Sequence, residues 1–200
     1  MESKQQYDPD RDSLLCLAEF LAPALVEKLA PMNVRHYTEL LKAANLDVSD
    51  EIAAELQLEE VIFSLHLVSR LAHAMLIPEK RDYFMDATVS EAREIVSQRF
   101  ESGMEATAFC ESFGTLYNKR QEEYASWRFS GEDSSKGELF WEHAKQVLFR
   151  VTNVNVVLLA MFERSGLQTC KFLADFLDKN LAPHASDRAE QDQPLDKYGV

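Results

Sequence analysis

An all-α bundle of six or seven helices is the fold the sequence predicts, and three observations carry it. Apolar residues recur with a period of about 3.6 through most of the chain. Glycine and proline number six each in 200 residues, too few for turn-rich β architectures or for glycine-rich phosphate loops. No stretch reads as a strand with a second strand to pair it: Val151 to Leu159 has β propensity, but its flanks are helical. Hydrophobic residues make up 46% of the chain, enough for one core. One domain is therefore expected at residues 13–182, between a flexible segment at 1–12 and a disordered polar tail at 183–200.

The first helix is expected from residue 14, with Asp12 or Ser13 as its cap. Leu14, Leu17, Leu21 and Leu25 share one face of it, and Pro23 inside the stretch predicts a kink or a break. Pro31 follows its stop, and Asn33 is placed as the cap of a short helix ending near residue 45. A linker at 46–49, with a cap at Ser49 or Asp47, leads into a long helix over residues 50–77. Val61, Leu65, Val68, Ala72 and Met75 form its main apolar stripe. Pro78 suits the first turn of the next helix, which runs to about residue 100. Ser102 and Gly103 mark a turn. The helix at 105–129 carries Phe109, Phe113, Leu116, Tyr117, Tyr124 and Trp127 on one side, a core stripe by its spacing, with Gly114 as a point of close helix approach. Residues 130–137 read as a loop. A helix at 138–164 follows, and Gly166 is read as dividing it from a last helix at 167–180, which Pro183 ends.

Charge narrows the function. A net charge of −13 is the wrong sign for a nucleic-acid surface, which needs lysine and arginine to displace counterions from phosphates. An acidic chain can dock on a basic partner. The three cysteines are far apart and form no C-x-x-C pair, so neither a zinc finger nor a dithiol site is indicated, and a reducing, cytoplasmic setting is expected. The most apolar run, residues 147–162, is short for a membrane span and contains Arg150, Asn153 and Asn155. No serine-hydrolase elbow, phosphate loop, HExxH or dinucleotide fingerprint occurs, nor the Glu-x-x-His pair of di-iron bundles. No metal or cofactor is expected.

One constellation stands out. Glu59, His66 and His73 recur every seven residues on the middle helix, with Phe63 and Arg70 within about 40° of the same line. This line lies opposite the Val61/Leu65/Val68/Met75 stripe. The helix is therefore apolar on two sides and is expected to run through the middle of a domain or an interface. His66 and His73 are about 10 Å apart along the axis, too far to share a metal without ligands such as His143 or Glu142 from another helix. The plainer role is hydrogen bonding to neighbouring helices, because a buried imidazole needs partners.

Glu59, Phe63, His66, Arg70 and His73 are thus the candidate ligand- or partner-binding residues, and no catalytic residue is assigned. The function read from these observations is a non-enzymatic interaction protein that self-associates or docks on another protein through a helical face. A twofold dimer across the middle helix is one form of it, with Arg70 of one copy near Glu59 or Glu60 of the other. The alternatives are a small-molecule-binding or sensing bundle with a pocket near the middle helix, and an enzyme whose residues leave no local motif.

Overall fold

A computed structural model describes residues 9–98, 103–127, 138–152 and 155–185. Among them seven α-helices follow in order: α1 Pro9–Pro23, α2 Ala30–Ala43, α3 Asp50–Met75, α4 Pro78–Ser97, α5 Gly103–Ala125, α6 Leu139–Leu148 and α7 Val156–Leu181. A π-helical segment, Ala24–Leu29, joins α1 to α2, and a 3-10 turn, Ala182–His184, follows α7. The chain is the expected all-α bundle, and no described helix is long and apolar enough to cross a membrane.

The prolines act differently from the expectation. The helix does not break at Pro23. Pro23 and Pro31 each remove a backbone donor, and between them the helix widens into π register, with the Ala30 N–H reaching the Leu25 carbonyl. Pro31 is the second residue of α2, just past the π segment. Asn33 therefore sits inside a helix rather than at its cap. The start of α3 is as the sequence predicts. The Ser49 side chain accepts from the Ile52 N–H, and Asp50 and Glu51 follow in the first turn, where the helix dipole favours them. Pro78 opens α4.

The break near the C-terminus lies elsewhere than expected. Helix α6 ends at Leu148, and α7 starts at Val156, where Asn155 accepts hydrogen bonds from the Val157 and Leu158 N–H groups. Gly166 lies inside α7 and is buried. A Cβ there would come within 3.1 Å of Phe140 Cδ1, so its role is to let α6 approach. Gly114, expected at a close approach, has nothing within 4 Å of such a Cβ.

Helix α3 is the axis of the fold, in contact with the π segment and with α2, α4, α5, α6 and α7. Every residue from Glu59 to Val68 is buried, almost three turns of helix covered on all sides. The stripe expected on α5 does pack on the core, with Phe113 and Tyr124 buried and Leu116, Tyr117 and Trp127 against it; the Phe109 side chain lies outside the described residues. The larger apolar cluster takes Val61 to Phe63 from α3, and a smaller one takes Leu56 with Tyr37, Leu148 and Phe162. Glu59 and Glu60 fall between the two. The ordered fold also reaches past both expected boundaries. Helix α1 begins at Pro9. His184 is buried, with its Nε2 3.3 Å from Ser13 Oγ and its carbonyl accepting from Lys80 at 3.4 Å. Residues 1–8 and 186–200, the rest of the expected loose ends, lie outside the described residues.

Candidate functional site

Two carboxylates stand at the centre of this apolar bundle, and each is fully partnered. Glu59 Oε1 accepts from the Tyr124 hydroxyl at 2.7 Å and lies 2.7 Å from Arg120 Nε. Its Oε2 accepts from Arg120 Nη2 at 3.2 Å and Arg150 Nη2 at 2.8 Å. Glu60 Oε1 accepts from the Tyr37 hydroxyl at 3.0 Å and lies 2.8 Å from His143 Nε2, while Oε2 accepts from Asn33 Nδ2 at 2.7 Å. Buried charge is tolerated only when paired and hydrogen-bonded in this way. Burial alone would raise the Glu59 pKa. Hydrogen bonding from Tyr124, the charge of His143 and Arg120 together outweigh it and hold the carboxyl below its usual range. The phenols of Tyr37 and Tyr124 are driven well above theirs, first by burial and then by the adjoining carboxylate, so both stay neutral donors.

The five candidate residues descend from this centre toward solvent. Glu59 is in the network. Phe63 is completely buried and stacks on the His143 ring, with centroids 3.6 Å apart and planes 4° apart; Tyr124 and Phe140 meet it edge-on. The side expected to face a symmetry mate is therefore covered by α5 and α6 of the same chain. His66 is buried, its Nδ1 2.7 Å from Gln121 Oε1 and its Nε2 accepting from Arg70 Nε at 2.8 Å. Arg70 also donates to the Tyr124 and Trp127 carbonyls at 2.7 and 2.9 Å, closing the C-terminal end of α5, whose last carbonyls have no partner within the helix. His73 is exposed beside Arg81. His66, Arg70 and His73 border a cleft of about 480 Å³ with Gln121, but the bonds of His66 and Arg70 are turned into the chain. His66 and His143 have separate partners, and among the described residues no three histidine, cysteine, aspartate or glutamate side chains are grouped to hold a metal.

The second concavity is a groove of about 600 Å³ between the π segment with α2 on one side and α7 on the other. Ala24, Leu29, Met32 and Phe172 give it apolar walls, and Met32 and Phe172 stand 59% and 58% exposed at its lips. Its floor is polar and buried: Asn33, Ser165 and Thr169. Asn33 Nδ2 donates to Thr169 Oγ1 at 3.1 Å as well as to Glu60, so the floor is continuous with the buried network. Lys28 and His36 line the groove as exposed side chains.

The groove residues are absent from the sequence-based candidates, yet one signal was present. Asn33 and Tyr37 are four residues apart on one helix, and Ser165 and Thr169 four apart on another. Each pair shares a face, and a polar pair within an apolar face predicts a buried polar contact. Comparison with protein-family models, curated proteins and solved structures finds no match.

Proposed function

We propose that this chain is a non-enzymatic binding protein that takes a small, largely apolar molecule into the groove between α2 and α7. One observation carries the reading: apolar walls with two large uncovered side chains at the lips, over a floor of three convergent buried polar groups. That is the ordinary make-up of a ligand site, where apolar area gives affinity and a few polar groups fix orientation. The wide π turn in one wall supports it, because such turns are frequent at functional sites. The non-enzymatic part rests on the titratable groups at the centre. Glu59, Glu60 and His143 are buried, Glu60 and His143 bonded to each other and Glu59 to Tyr124, Arg120 and Arg150, so none is placed to meet a substrate. The neutral fluorescent probe N-phenyl-1-naphthylamine tests the reading. Saturable uptake at one site per chain, lost in Phe172→Glu while the helical spectrum is kept, is the expected result. No uptake by the wild type refutes it.

Self-association through a helical face is the second reading. It is favoured by the start of α7, where Val156 and Val157 are exposed together with Ala160 and Met161, and by Phe149 at the end of α6. Large apolar side chains left uncovered on successive turns of one helix are a common mark of an interaction face. A dimer in sedimentation that dissociates on Met161→Glu would favour it; a monomer at all concentrations would remove it.

A further inference from the structure

We infer that the groove between α2 and α7 selects an apolar-bodied molecule with a neutral hydrogen-bonding head, an alcohol or a primary amide, over the matching carboxylate. This deepens the proposed function and rests on it. Asn33 decides the polarity of the floor. Its amide nitrogen has two hydrogens, and both are engaged, one by Glu60 Oε2 at 2.7 Å and one by Thr169 Oγ1 at 3.1 Å. A carboxylate only accepts hydrogen bonds. Turning the amide over would set oxygen against oxygen, so Glu60 fixes its orientation. What Asn33 then has left for the groove it lines is its carbonyl oxygen, an acceptor. Donation to a charged carboxylate polarises the amide and strengthens that acceptor.

Thr169 complements it. Its oxygen accepts from Asn33, and its hydroxyl hydrogen remains to be donated. The floor therefore joins an acceptor and a hydroxyl donor one hydrogen bond apart. A hydroxyl or an amide head matches both, since each can donate and accept. A carboxylate matches only the hydroxyl, and it would leave the Asn33 oxygen facing another oxygen in a buried place, which is costly.

Charge points the same way. His143 and Tyr37 engage Glu60 Oε1, and Asn33 alone is bonded to Oε2. An anionic head on the floor would lie just across Asn33 from that oxygen, the one His143 does not bond, and the two would repel. The titratable groups lining the groove, Lys28 and His36, are exposed, where water and salt weaken their compensation.

Competition against N-phenyl-1-naphthylamine on the full chain at pH 7.5, with 1-octanol, octanamide and octanoate, tests this. The expected result is displacement by the alcohol and the amide at concentrations at least about ten-fold lower than octanoate. Thr169→Val, which keeps the shape and removes the hydroxyl, should lose most of the alcohol's advantage over octanoate, each ligand being ranked against that variant's own probe affinity, and Thr169→Ser should retain it. Octanoate equal to or better than octanol in the wild type overturns the inference and leaves the groove as a ligand site. An unchanged ranking in a folded Thr169→Val also overturns it, and if that variant does not fold the wild-type ranking decides. A wild type that takes up no probe overturns the proposed function itself, and the inference with it. A wild type that takes up probe only as it dissociates from a dimer assigns the groove to a second copy and overturns both.

Discussion

Acid should weaken this fold through His66 in a way that can be isolated. The two ring nitrogens have partners of opposite kind. Gln121 Oε1 accepts, so Nδ1 carries the hydrogen; Arg70 only donates, so Nε2 must keep its lone pair. A proton added at Nε2 would face a guanidinium. Burial pushes the imidazole down from 6.5 to about 4, and the Arg70 charge adds to it against the opposing Gln121 hydrogen bond. With the folded value below the unfolded one, the unfolded chain binds a proton between these limits and the folded chain does not. The stability due to neutral His66 is complete above pH 6.5 and is lost as pH falls toward 4. At roughly 1.4 kcal/mol per pH unit the full loss is about 3 kcal/mol, with about 2 kcal/mol gone by pH 5. Urea unfolding of the wild type and His66→Gln at pH 7.5 and 5.0 measures it, because the other titrating groups cancel in the difference. The variant should lose about 2 kcal/mol less than the wild type between the two pH values. Equal losses would refute the reasoning.

Four further outcomes follow from packing. Gly114→Ala should raise stability by about 1 kcal/mol and the melting temperature by roughly 2–4 °C, since the methyl meets nothing and alanine is the better helix former; Gly166→Val should cost about 2 kcal/mol or more, because its side chain would enter the Phe140 ring. Phe63→Glu should abolish the cooperative transition, by placing an unpaired carboxylate on the His143 ring; a folded variant in calorimetry would contradict the packing. Truncation after residue 181 should lower stability by about 1–2 kcal/mol relative to truncation after residue 185, through loss of the His184 contacts, and identical urea midpoints would show that these contacts contribute nothing.

How far the fold was legible depended on whether its signals were local. The ends of α3 were, because a serine cap and a following proline act within one turn of helix. Its passage through the middle of the bundle was also legible, in apolar residues on both of its sides. Gly166 was misread because a glycine stops a helix by local conformation but here serves a neighbour on α6, which no local pattern reports. At Pro23 the expected interruption takes the form of a π segment rather than a break, because a missing donor can also be absorbed by a wider register. At the site, the seven-residue recurrence of Glu59, His66 and His73 found one buried carboxylate and one buried imidazole. It missed Glu60, whose burial beside Glu59 requires cover on both faces at once. The groove lay beyond reach, because its walls come from helices about 130 residues apart in the chain, and only the paired spacing of Asn33 with Tyr37 and Ser165 with Thr169 hints at them.

The proposed entry of ligand between α2 and α7, rather than beside α3 and α5, can be located directly. Amide chemical-shift mapping during titration with 1-octanol tests it most directly. Binding in the groove should give saturable shifts centred on residues 24–36 and 165–172, with those around His66, His73 and Gln121 unchanged; shifts centred on His66, His73 and Gln121, or no saturable shifts anywhere, would rule it out.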